Sequence, residues 1–97
     1  MTVHDLPRRD PAEMPMPADP PAHLSAEAAA FWRETVPHAH WLRLSDSMTF
    51  ELLAELVARY HADREHFEYM DELIASLHKF GLTPLGRAEL RKLGIDC

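Results

Sequence analysis

Seven histidines and sixteen carboxylates are the groups in this 97-residue chain with the most chemical potential, and metal binding is the first chemistry to test them for. Their spacing argues against it. His61 and His66 are five apart, about 140° off a shared helical face. A helical zinc pair needs a separation of four and a third ligand. His38 and His40 read as a loop pair, and the histidines as surface groups. Glu51/Glu55 and Glu68/Glu72 are four apart, a spacing that can hold divalent metal inside a helix bundle. Such sites also use Glu-x-x-His, but Glu68 follows Glu65 by three and Asp71 follows Glu68 by three. The expectation is no metal and no cofactor.

Covalent and phosphate chemistry fare no better. Cys97 is the sole cysteine and has no neighbours that would activate a thiolate. It also excludes an intrachain disulfide, so a reducing compartment is expected. The motifs G-x-x-x-x-G-K, G-x-G-x-x-G and G-x-S-x-G are all missing. No catalytic residue can be assigned, and the expected class is a non-enzyme. No apolar run is long enough to span a membrane and no signal-peptide core is visible.

Charge is the remaining asset. The formal net charge is −6. From Asp46 to Glu72 eight carboxylates stand against Arg59 and Arg64. From Lys79 onward Lys79, Arg87, Arg91 and Lys92 outnumber Glu89 and Asp96. An acidic middle and a basic end make any nucleic-acid contact local. The candidates are Lys79, Arg87, Arg91 and Lys92, with Arg8 and Arg9 near the start. The acidic stretch Glu51, Glu55, Asp63, Glu68, Asp71 and Glu72 supports an alternative, a protein-binding adaptor or acidic DNA mimic. Its blander explanation is a solvated helix face.

The elements that would position these groups are helical. Residues 1–23 hold six of the eight prolines and read as a flexible, disordered arm. Residues 24–97 form a single helical domain. Ser25 is a good N-cap for a first helix with Ala28, Phe31, Trp32 and Val36 on its apolar face, ended by Pro37. Phe31 and Trp32 are expected core anchors. Trp41, Leu42 and Leu44 are the apolar contacts of a connector, and Ser45 or Asp46 caps the next helix.

From Asp46 to Phe80 there is no Gly or Pro. Leu53, Leu56, Tyr60, Phe67, Met70, Ile74 and Leu77 recur at steps of three and four, missing one beat at Asp63. This is a heptad-like seam, widened by Leu52, Val57, Leu73 and Phe80. The stretch predicts one central helix roughly 52 Å long. A globule of this size is only about 32 Å across. Either the helix breaks near His61–His66, where no turn residue stands, or it packs against copies of itself. The continuous helix and an oligomer are the expectation. Gly81 then caps it, Thr83-Pro84 starts a last short helix, and Gly94 ends that.

Three stretches together resemble P27-type phage terminase small subunits. The front RRDPAEMPMPADPPAHLSAEAAAFWRETVP is similar to the family's basic, proline-rich arm and first helix, through Pro21, Leu24, Ser25, Trp32 and Pro37. Leu44 and Asp46 before a helix ending at Tyr60 look like its second helix. GLTPLGRAEL resembles its closing signature in Gly81, Leu82, Thr83, Pro84, Arg87 and Leu90. A Gly-containing insert usual in the family between the Tyr helix and the closing helices is missing, as is an early Gly-Asn. The resemblance implies an all-α, ring-forming homo-oligomer in the host bacterial cytoplasm. It would bind viral double-stranded DNA and recruit the large terminase subunit, which holds the ATPase and nuclease.

Overall fold

The computed structural model describes residues 13–97. It contains four α-helices: α1 (Ala26–Thr35), α2 (Ser47–Ala62), α3 (Met70–Lys79) and α4 (Pro84–Lys92). Two 3-10 turns, Val36–His38 and Leu44–Asp46, lie between α1 and α2. No strand forms among the described residues, where an isolated bridge pairs Pro15 with Arg43.

α1 begins as its sequence requires. The Ser25 hydroxyl accepts from the Ala28 N–H at 3.2 Å, and Glu27 sits in the first turn. A second tie comes from α2. Glu55 accepts both the Ser25 N–H (3.0 Å) and its hydroxyl (2.8 Å), and Glu51 pairs with His23. The Glu51/Glu55 pair therefore pins the start of α1 to α2. Ala28, Ala54 and Ala58 are buried between these helices, so small side chains set the close approach.

The core is aromatic at its centre. Trp32, Phe50 and Leu53 are its largest fully buried side chains. Phe50 stacks on Phe31 at 5.7 Å and meets Trp32 and Phe80 edge-on at 5.3 and 5.4 Å. Such offset and edge contacts suit the ring quadrupoles.

The continuous central helix does not form. α2 stops at Ala62, and residues 63–69 turn the chain back before α3. The Asp63 carboxylate accepts from the His66 N–H at 3.3 Å and contacts the His66 ring at 2.9 Å. That local bond competes with the helical ladder, as short acidic side chains do. Phe67 folds onto Tyr60 edge-on at 5.5 Å, and the Arg64 guanidinium lies 5.5 Å from the same ring. Leu73 then reaches the core, 5% exposed. Tertiary burial outweighs helix propensity, which is only a weak bias.

The break also redraws the seam. Leu53 is buried, and Leu56, Tyr60, Phe67 and Leu77 are half-buried against the core. Met70 and Ile74 are 39% and 55% exposed, so neither is a core residue of the single chain. The buried line of α2 is instead Phe50, Leu53, Ala54, Val57 and Ala58. Leu52, assigned to the widened stripe, is 63% exposed.

Two smaller expectations shift. Asp46 does not cap α2 through its side chain. It closes the Leu44–Asp46 turn, accepting the Arg43 N–H at 2.9 Å. The helical domain also draws on residues before 24. Met16 is buried, the Leu44 N–H donates to the Met14 carbonyl (2.7 Å), and the Trp32 indole donates to the Pro17 carbonyl (2.9 Å). The described part of the proline-rich segment is thus seated on α1 and the connector.

Candidate nucleic-acid interface

The basic end of the chain folds into a helical hairpin, α3 and α4 joined by residues 80–83. Each expected stop signal is used. Gly81 has φ +73° and Gly94 φ +89°, the left-handed conformation that glycine adopts without strain. At the end of α3 the Leu82 N–H donates to the Leu77 carbonyl (2.9 Å) and the Gly81 N–H to His78 (3.0 Å). At the end of α4 Ile95 donates to Leu90 and Gly94 to Arg91, both at 3.0 Å. Both ends are Schellman motifs. Thr83 caps α4 by accepting the Gly86 N–H at 2.9 Å, with Pro84 in the first turn.

Gly86 sets how closely the two helices approach. A Cβ built there would stand 2.3 Å from the His78 carbonyl oxygen. Trp41 locks the hairpin to the connector, its indole N–H donating to the Phe80 carbonyl at 2.7 Å.

The four cations of this region are not equivalent. Arg87 is half-buried and donates to the Gly81 carbonyl at 3.2 Å, closing the turn. Arg91 is exposed and donates through Nε to the Cys97 carbonyl at 2.8 Å. Lys92 pairs with Glu89 at 3.6 Å, and both are mostly exposed. Lys79 is exposed and has no ion-pair partner among the described residues. Arg8 and Arg9 lie outside the described residues.

Position limits what these groups can do. Lys79 ends α3, and Arg91 and Lys92 end α4, where positive charge favours the helix dipole. A recognition helix reads bases from its N-terminal residues. The first turn of α4 offers exposed Leu85, buried Gly86 and inward-bonded Arg87 instead. The arrangement suits phosphate contacts, which position a duplex without reading its sequence.

The acidic groups do not form one continuous face. Glu51 and Glu55 are committed to His23 and Ser25, and Asp63 to His66. Glu68 falls in the 63–69 loop, so it does not share a helical face with Glu72. No group of three or more His, Cys, Asp or Glu poised for a metal occurs among the described residues. His40 bonds the Asp96 carbonyl at 3.1 Å, a tertiary contact with no signal in its spacing.

A second feature escaped the sequence reading. A cleft of about 540 Å³ opens between α2 and the hairpin, floored by Trp41, Leu53, Leu56 and Phe80, with Leu52 and Ile95 on its walls. Asp46, Thr49, Ser76 and Lys79 supply its polar groups. The stacked positions Leu52 and Leu56 on α2 were its only sequence signal.

No protein-family model matches the chain, and no curated protein or solved structure does either. Among the described residues no helix is long and apolar enough to cross a membrane.

Proposed function

We propose that this chain is a non-enzymatic DNA-binding subunit of the small-terminase kind. In this reading it assembles as a closed ring in a bacterial host, holds viral double-stranded DNA, and recruits the large packaging subunit. The observation that carries the reading is the capped α3–α4 hairpin with Lys79, Arg91 and Lys92 at its two helix ends. It supports backbone binding by a chain of net charge −6, because a ring multiplies a small basic patch. The family-like signature has a full structural explanation as well. Gly81, Thr83, Pro84 and Arg87 build the turn, and Leu90 accepts the final cap.

The test separates the two kinds of cation. Lys79→Ala and Lys92→Ala should leave the fold intact and weaken duplex binding at every sequence. Each lost phosphate contact should lower the salt slope by about 0.9. Arg87→Ala should cost about 0.5–1.5 kcal/mol of stability through the lost bond to Gly81. Retention of labelled duplex at several salt concentrations, beside light scattering on the same sample, provides the readout. A monomer whose DNA retention ignores both lysine changes would overturn the reading.

The cleft favours a second function, a helical adaptor. Its apolar floor and sparse polar rim are the usual makings of a binding site. An oligomer without DNA affinity, whose partner binding is lost in Leu52→Asp, would put this reading first.

A further inference from the structure

Two observations about the 46–80 stretch do not fit a chain content with its fold-back. The first is that its break has little local support. Residues 63–69 contain no Gly or Pro, and all but Phe67 are exposed. Within the bend itself the holding contacts are Asp63–His66 and the cover of Phe67 and Arg64 over Tyr60. The rest of the hold is Leu73, Leu77 and Phe80 on the core, contacts that a second copy can supply as well. The second is that the bend leaves Met70 and Ile74 in solvent, though they continue the three-and-four rhythm of Leu53, Leu56 and Tyr60. Leu52, on the flank of the same stripe, is also exposed. A helix continuous through 63–69 would align all of these on one side.

We infer that α2 and α3 fuse into one helix when two or more copies meet, each chain passing its α3–α4 hairpin to a neighbour. The occupant of the exposed stripe is then a second copy of this chain. Three facts support that choice. The contacts of Leu73, Leu77 and Phe80 with the α2 core can be re-formed unchanged between copies, which is what makes such exchange inexpensive. The hinge contains no Gly or Pro and holds three good helix formers, Arg64, Glu65 and Glu68, so a continuous helix is open to it and straightening gains backbone hydrogen bonds. The seam formed on straightening is interrupted by a single polar residue, Asp63, the same residue that caps the bend. Asp63 therefore opposes the exchanged form twice, as a local cap and as a carboxylate in an apolar seam. The inference is independent of DNA binding and holds for a closed pair or a larger ring.

Paired spin labels on the full chain test it. Thr49 and Lys79 are both exposed and both line the cleft, so labels at Thr49→Cys and Lys79→Cys, with Cys97→Ser, sit close in the folded-back form. In a continuous helix thirty residues apart they stand about 45 Å away from each other. Labelled chain diluted into excess unlabelled chain reports only the distance within one chain. The oligomer fraction should show the long distance and the monomer fraction the short one. Asp63→Leu should tighten assembly by about tenfold or more, a decade being one step of 1.4 kcal/mol. Glu65→Pro, which blocks helix through the hinge, should leave a folded monomer. An oligomer showing only the short distance would overturn exchange while leaving a ring of folded-back chains standing. Absence of any oligomer, with Asp63→Leu included, would overturn it outright.

Discussion

The α1–α2 pair and the α3–α4 hairpin are built by different means. The first is held by burial. Trp32, Phe50 and Leu53 are almost fully enclosed, and three alanines let the helices touch. The second is held by its ends. Thr83, Gly81 and Gly94 satisfy the helix termini, while Leu85 and Leu93 are 66% and 77% exposed and only Leu73 and Gly86 of the two helices are buried. Packing gives the first half its stability. Hydrogen-bond geometry gives the second half its shape, and leaves its surface open for partners.

That contrast can be broken most forcefully at Phe50. Phe50→Ala removes the ring shared by α1, α2 and the end of α3, and should cost about 3–5 kcal/mol. Urea unfolding followed by circular dichroism should show both halves lost together. Gly86→Ala should cost about 1–3 kcal/mol by overpacking against the His78 carbonyl. Here the loss should be local: amide exchange should speed in α4 while α1 keeps its protection. Thr83→Ala removes the cap of α4 and should cost about 1 kcal/mol. Leu93→Ala, on an open surface, should stay within about 0.5 kcal/mol. If Leu93→Ala proves as damaging as Phe50→Ala, the two halves are not built differently.

The sequence was most legible where single residues carry a backbone requirement. Ser25, Gly81, Thr83-Pro84 and Gly94 announced their helix ends, and all four act there. The pairing of faces was harder. Phe50, Leu53, Ala54, Val57 and Ala58 also have helical spacing, at i, i+3, i+4, i+7 and i+8. The stronger rhythm of Leu53, Leu56 and Tyr60 ran on to Leu77 and concealed it. Which stripe is buried depends on where α1 lands, and that is not written in α2. The fold-back near His61–His66 was one of the two outcomes that the length of the stretch allowed, but no residue signal favoured it over the continuous helix. Nothing in residues 61–69 forbids helix, and the bend is decided by Leu73 and Phe67 finding the core. Among the basic residues, charge was legible but allegiance was not. Arg87 has a carbonyl to serve, Lys79 has no ion pair among the described residues, and spacing alone treats them alike.

The chain has two tryptophans, and each indole N–H is spent on a backbone carbonyl in a different half. Trp32 holds Pro17 beside α1, and Trp41 holds Phe80 at the hairpin turn. The protein thus carries an optical reporter for each of its two constructions. With Trp41→Phe the remaining emission follows the buried pair, and with Trp32→Phe it follows the hairpin. A colour change in one without the other would reveal a half-open molecule in which the hairpin has let go before the core has melted.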